Sequence, residues 1–414
     1  MEMIMTFMKL IYYEMKKLFS FTFIRLIVAL TLVLNIAMAI FYIYPLNKFN
    51  CEEEMKTLYE MSQTDPDLFR AKYDAVIEQW YSGEGGGYSI DYTNGKMYDR
   101  TLFFTVECFV NADADYQKQM KELVAKTDAM AQMLPPDSYN YRYQQAVIEK
   151  YEALSETVEI KNEPVYGWIQ YFGYSAEVLL VLIAVFACAV VVGMGDTTTG
   201  FLPIRASSPR GGKSTIAAKF VTVVTVCFIL SIVFALSSLI TVGSIYGLSD
   251  PSNAIQSVFS DVNLGTLERE GRRVDQLFFC PLPLSIAEFL AVFFLQKAMA
   301  SVMCGIVIFT VAILGKRYWL SGAVGGIFLF LQYRMNELSL FTMGQWKFLS
   351  VFSVFSAETF LSRLRCVDLF GYPVDLIHVF CALFLLTVLL TFLACMLLGQ
   401  PRKQRRRSAI KAKG

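Results

Sequence analysis

The chain has 414 residues, 55% of them hydrophobic and only 18% charged, with 37 Lys plus Arg against 36 Asp plus Glu and a formal net charge of +1. Soluble domains carry about 25% charged residues, so this composition excludes an ordinary water-soluble fold and points to lipid as the solvent. The near-zero net charge hides a division: residues 47–165 hold 22 acidic and 12 basic residues, net −10, while the rest of the chain holds 14 and 25, net +11.

In chain order, the first expected element is an amphipathic helix over residues 1–20. Ile4, Phe7, Met8, Ile11, Met15 and Leu18 recur at helical spacing, with Glu2, Lys9, Tyr13 and Lys16 on the other face. Such a helix lies at the membrane interface with its lysines toward anionic headgroups; a cytosolic extension of the first span is the alternative. The first span follows at residues 21–46, with its apolar run from Phe21 to Tyr44. It is too long for a cleavable signal peptide and lacks a small-residue cleavage pattern, so it is expected to stay in the mature protein.

Residues 47–165 turn polar and read as a mostly helical extracellular domain, with helices over Pro66–Trp80, Ala112–Leu134 and Tyr139–Thr157, broken by Gly83–Gly87 and by Pro135-Pro136. Its acidic excess fits recognition of cargo or a partner, or simply a solvated face. Residues 166–400 read as a membrane domain with five further spans: Trp168–Met194, Ile216–Tyr246, Leu284–Leu314, Tyr318–Tyr333 and Val374–Leu398. About 20 apolar residues cross the bilayer as a helix, and the 318–333 run is short for that. Residues 401–414 form a basic tail.

Charge orients the spans. Lys9, Lys16 and Lys17, then Arg205, Arg210, Lys213 and Lys219, then Lys316 and Arg317, then Arg402, Lys403 and Arg405 to Arg407 all fall on one side if there are six spans. That side is cytoplasmic by the positive-inside rule, so both termini are expected inside and residues 47–165 outside. A further apolar stretch, Leu338 to Phe360, is read as an interfacial or re-entrant element, since a seventh span would export the tail; Arg363 and Arg365 then lie outside, against the trend. Cys51, Cys108, Cys280 and Cys366 also fall outside, where oxidation is possible, but their spacing assigns no pairing.

The residue types exclude several chemistries. The single histidine, His378, rules out a two-histidine zinc site or a His-based triad built from this chain alone, and it is read as an interior side chain. Gly212-Lys213-Ser214 ends like a phosphate-binding loop but has Ser207 where that loop needs its first glycine. The segments between spans on the basic side are too short for an ATPase domain. No catalytic, cofactor-binding or metal-ligating residues are therefore assigned, and no nucleic-acid partner. Charges within apolar runs are costly and so informative: Glu177, Glu288 and Lys297, with Arg25 near the inner end of the first span. Lys297 is too deep to snorkel and needs a partner; Glu177 is the candidate, because Glu288 is roughly 13 Å along the same helix. A pair of this kind either takes part in transport or fixes how two helices dock.

Between the second and third spans runs Gly195-Asp196-Thr197-Thr198-Thr199-Gly200, then Ile204-Arg205 and Ser207-Ser208-Pro209-Arg210, then Ala218-Lys219. An acidic residue suits a helix N-terminus and Pro209 ends a short helix ringed with positive charge. This arrangement resembles the ABC type-2 exporter permease family, in which an acidic residue, a glycine and a small-residue-Pro-Arg turn follow the second span and a lysine opens the third. Asp196, Gly200, Ser208-Pro209-Arg210 and Lys219 match in order, with Asp196 where glutamate is usual. The surface helix, six spans and an outer element before the last are also similar to the family plan, and the large outer domain is similar to its A subfamily.

The resemblance implies a permease subunit of an ATP-driven exporter in a bacterial plasma membrane. It implies as partners a separate ATPase subunit, which carries the ATP and magnesium, and a second, identical or homologous permease copy, all set in membrane lipid. It places the ATPase-docking loop on Asp196, Thr199, Gly200, Arg205, Pro209 and Arg210. The chain itself is then no enzyme. Two rival readings stay open: a membrane sensor or transmitter of an outer ligand, and a gradient-driven carrier centred on Lys297.

Overall fold

The computed structural model describes residues 2–43, 52–81, 103, 106–107, 109–198, 213–258, 277–315, 318–337 and 344–398. Helices account for nearly all the regular structure. Among the described residues five of them, Thr22–Phe41, Glu177–Gly195, Ser214–Tyr246, Ile286–Gly315 and Leu376–Leu397, are long and apolar enough to cross a membrane. The molecule is thus an α-helical membrane protein.

The N-terminal helix α1, Glu2–Ser20, ends at Phe21, and α2, Thr22–Ile43, continues after this one-residue break. Met15 and Leu18 of α1 pack against the bundle, with Leu18 fully buried, and Phe7 and Ile11 are half-buried, while Lys9, Tyr13 and Lys16 are exposed as the spacing predicts. Met8 departs from that pattern and is exposed with Met5 and Tyr12, so α1 also offers a second apolar strip away from the bundle.

The central layer is three helices: α8, Glu177–Thr198; α9, Lys213–Tyr246; and α10, Ile286–Gly315. Lipid gives no hydrophobic drive for helices to associate, so close packing and internal polar bonds must hold them together. Both are present. Gly305 brings α10 against α9 so closely that a Cβ there would collide with Cys227 Sγ, and Gly193 does the same for α8 against Ala312. Cys188, Cys227 and Cys304 fill the centre as buried thiols. Around this layer pack α2, α1, the helix α11 at Tyr318–Glu337 and the last helix α14 at Leu376–Leu398.

Several boundaries differ from those predicted. The second span does not begin at Trp168: a short helix α7, Tyr166–Gly173, stops at a break over Tyr174, Ser175 and Ala176, and α8 starts afresh at Glu177. Glu177 therefore sits in a first helical turn, where the unpaired N–H groups favour a carboxylate. The last span starts at Leu376, not Val374, because Asp375 Oδ1 accepts from Ile377 N at 2.9 Å and residues 366–375 form a β-hairpin that was not expected. Strand β1, Cys366–Leu369, pairs antiparallel with β2, Tyr372–Asp375, around a turn with Phe370 and Gly371 both at positive φ. The expected fifth span is the helix α11, but Gly322, Gly325, Gly326, Gln332 and Arg334 leave it outside the set of helices apolar enough to cross.

The described part of the stretch after α11, residues 344–360, holds no spanning helix. From residue 344 it breaks into a 3-10 turn, Gly344–Leu349, and two single-turn helices, α12 at Val351–Val354 and α13 at Ala357–Phe360. Irregular backbone is tolerated near lipid only when its polar groups are satisfied by protein. Gln332 Oε1 accepts from Val351 N at 3.1 Å, Gln296 donates to the Val354 carbonyl, and Ser350 and Ser356 cap the two turns.

The polar segment packs as two helical pairs. Helices α3, Glu52–Thr64, and α4, Pro66–Tyr81, are joined at Asp65, which accepts from Leu68 N at 3.1 Å; α3 was not predicted. Helices α5, Ala112–Ala131, and α6, Tyr139–Thr157, form an antiparallel hairpin, with Ser138 capping α6 through Tyr141 N at 3.1 Å. The core of that hairpin, built on Tyr116, Met120, Tyr151 and Leu154, is completed by Phe278, Leu364 and Cys366 from segments that lead into the later spans. One end of the helical bundle and the polar segment therefore share a core.

A buried charge pair and the joints around it as candidate functional site

The structure brings together two of the three charges that the sequence places in apolar runs. Lys297 lies 11 residues into α10, roughly 16 Å from its start, and its Nζ donates to Glu177 Oε1; both side chains are 2% exposed. The other Glu177 oxygen accepts from Ser238 Oγ of α9 at 2.7 Å. Asn35 of α2 donates to Ser238 Oγ at 2.9 Å and Ser237 Oγ at 3.0 Å, and its Oδ1 accepts from Tyr174 OH at 3.1 Å. One polar chain thus ties together α2, α8, α9, α10 and the break before α8. The ammonium of Lys297 also lies 4.1 Å from the Phe293 ring centroid and 5.7 Å from that of Tyr171, a setting that favours a cation.

The remaining charges have local uses. Glu288 stands in the first turn of α10, exposed, where its Oε2 accepts from Ser285 N and Ser285 Oγ, each at 2.9 Å, while Ser285 Oγ accepts from Glu288 N at 3.3 Å. This reciprocal pattern is a capping box, so Glu288 starts a helix and does not sit deep in the bundle. Arg25 is exposed and donates to Thr22 Oγ1 at 3.2 Å. His378, expected inside, is exposed on the first turn of α14.

Of the predicted docking residues, Asp196 falls in the last turn of α8, and Thr199, Gly200, Arg205, Pro209 and Arg210 lie outside the described residues. The two helix ends that flank them are well defined. Lys219, in the second turn of α9, is 1% exposed; its Nζ donates to the Val192 carbonyl at 2.9 Å and faces Glu14 Oε2 of α1 at 3.9 Å. A small pocket lined by Glu14, Lys17, Leu18, Phe21, Val191 and Val192 adjoins it. Helices α1, α8 and α9 meet here.

At the other end of the bundle the polar segment is clamped by directed bonds. Lys161 Nζ meets Asp250 Oδ2 at 2.7 Å and Ser252 Oγ at 2.6 Å, and Asn253 exchanges two hydrogen bonds with the Lys161 backbone. The Lys161 side chain and the Ser252 donors hold the Asp250 carboxyl well below the usual carboxylate range. Trp168 Nε1 donates to the Ser249 carbonyl at 3.2 Å, and Gly167 touches the Gly247 backbone where no Cβ would fit. Tyr151 OH donates to the Phe279 carbonyl and accepts from Leu364 N, and Tyr143 and Tyr139 donate to the Leu364 and Cys366 carbonyls. Burial pushes the Cys280 thiol up to about 12 and the Cys366 thiol up to about 11, so both stay protonated and unreactive. Cys51 and Cys108 lie outside the described residues. Arg363 and Arg365, which break the charge trend, stack on Phe279 and Phe348 at 5.3 and 3.6 Å.

Asn35, Tyr174, Ser238, Gln296 and Gln332 escaped the sequence reading. Their signal was a lone hydrogen-bonding side chain within or next to an apolar run, which in lipid points to an inter-helix partner. Among the described residues no group of His, Cys, Asp and Glu side chains is arranged to hold a metal ion.

Fold and site define a class, that of helical membrane proteins with a polar segment docked on one end of the bundle. No family model matches the chain, nor does any curated protein or any solved structure.

Proposed function

We propose that the chain is the membrane subunit of an ATP-driven exporter, paired with a second permease copy and driven by a separate ATPase subunit that docks on residues 196–210. The observation that carries this reading is the placement of Lys219. The lysine that matches the resemblance to type-2 exporter permeases is buried where α1, α8 and α9 converge, at the base of the segment carrying Asp196, Gly200 and Ser208-Pro209-Arg210. A partner that pulls on this segment would pull on three helices at once.

The bundle supports a six-span arrangement. Chain entering α10 leaves the end shared with the polar segment and reaches Gly315, yet Leu364 and Cys366 are back in the polar segment's core. On this reading the chain crosses back between them along α11, in keeping with Ser321 near Met194 late in α8, Gly325 beside Phe186, and Gln332 at Val351. With six spans every basic cluster belongs to the end opposite the polar segment, which puts that end in the cytoplasm and the polar segment outside. The centre of the bundle is filled by Cys188, Cys227, Cys304, Phe220 and Phe309, so cargo would pass along a face between two copies.

The test is purification of the tagged full chain in mild detergent from its native host. An ATPase subunit is expected to accompany it, and Arg210→Glu is expected to lower that copurification several-fold while membrane insertion is unchanged. Wild-type protein that carries no ATPase overturns the reading; Arg210→Glu protein that keeps its ATPase overturns the docking assignment.

A further inference from the structure

The hairpin that leads into α14 carries a side chain that its own fold does not use. Its turn places Phe370 at φ 57° and Gly371 at φ 84°. Two-residue turns with both central φ positive favour Asn-Gly, and a bulky side chain in that backbone region is strained. Phe370 is also 101% exposed, so nothing among the described residues packs on its ring to offset the strain, and Tyr372 beside it is 62% exposed. A strained backbone without internal compensation points to a role outside the chain.

The rest of the hairpin is held firmly. Arg142 Nη1 of α6 donates to the Gly371 carbonyl at 2.9 Å, with its guanidinium 4.7 Å from the Tyr372 ring centroid, and Gly371 N donates to Asp368 Oδ1 at 2.7 Å. At the base, Tyr139 OH donates to the Cys366 carbonyl at 3.0 Å and Leu376 N to the Arg365 carbonyl at 2.9 Å. A rigid frame thus presents an apolar tip, which is how an anchoring side chain is best held.

Its position identifies what it anchors to. Strand β2 ends at Asp375 and the spanning helix α14 starts at Leu376. Phe370 precedes Leu376 by six residues, a reach of at most about 20 Å, so a hairpin leaning over the bilayer brings its tip to the headgroup layer. The 3-10 turn Gly344–Leu349 packs against β1, α11 and α14 and exposes Trp346, and the end of α11 exposes Tyr333. Exposed Trp and Tyr side chains gather where membrane meets water, and here they surround the hairpin.

We propose that Phe370 and Tyr372 insert into the lipid headgroup layer beside α14, so that the hairpin moors the polar segment to the membrane surface through Arg142 and α6. Lipid is favoured over a second copy of the chain because β2 runs directly into a spanning helix and the neighbouring exposed rings are those of an interfacial belt. The mooring stands apart from the export reading and needs only that α14 crosses the bilayer.

The full chain in lipid nanodiscs carries the test. Asparagine suits the turn better than phenylalanine, so a tip that merely hangs in water predicts that Phe370→Asn leaves hydrogen exchange of the residue 366–375 amides unchanged or slower. A moored tip predicts that exchange there rises several-fold over wild type. Phe370→Trp identifies the cover: its added emission is expected to fall several-fold in nanodiscs of lipid brominated near the headgroup end of the acyl chains, and to resist iodide in solution. Unchanged or slower exchange in Phe370→Asn overturns the mooring. Faster exchange in that variant without bromolipid quenching in Phe370→Trp shows a protein cover and overturns lipid as the partner.

Discussion

Lys297 and Glu177 set the terms at the scale of single residues. A charge pair taken out of water contributes little net stability, but removing one partner leaves the other charged and buried, which costs about 3–5 kcal/mol. Lys297→Met is therefore expected to lower thermal stability in detergent strongly, and Glu177→Gln with Lys297→Met to recover most of the loss. A double variant no more stable than the single would show that the pair is not the reason for the burial. The polar partners of Glu177 come from positions that local reasoning cannot link: Ser238 is 61 residues away and Lys297 is 120 away. Chemistry made the pairing foreseeable, since a deep lysine needs an acid. It did not foresee Asn35, because a neutral amide in a span has many acceptable partners.

Elements meet through small residues and side-chain bonds to backbone. Gly305 is the tightest contact of the central layer, so Gly305→Ala is expected to cost about 1–3 kcal/mol through collision with Cys227, seen as loss of folded, monodisperse protein. Adding Cys227→Ala should restore it; failure to do so would place the strain elsewhere. The clamp at the other end should respond to acid. The Asp250 carboxyl is held below its usual range by Lys161 and Ser252. Its contribution is complete above the ordinary carboxylate value and is lost as pH falls through the depressed one. Protease protection of residues 158–165 is expected to weaken only below the ordinary carboxylate range. Asp250→Asn should remove that pH dependence, and an unchanged acid response in this variant would count against the clamp. The sequence showed the long helices and the helix over Tyr139–Thr157 after the Pro135-Pro136 break, but not the Ser138 cap, α3 or the hairpin at 366–375, which runs straight into a span.

Across the whole molecule, the amino-acid order alone determined that the chain lives in lipid, where its long apolar helices fall, and that an acidic segment is set against basic ends, because hydropathy and charge act locally and sum along the chain. Where Trp168–Met194 breaks, and that 344–360 folds into short turns, were decided by the tertiary structure. Irregular backbone beside lipid is tolerable only if some other element satisfies its polar groups, and for 344–360 those elements are Gln296 and Gln332 on neighbouring helices. The shared core between the polar segment and the ends of the spans belongs to the same class, since Tyr116 and Tyr151 become core residues only once Phe278 and Leu364 arrive from more than a hundred residues further along. Composition specifies which surfaces must be covered; only packing in three dimensions chooses what covers them.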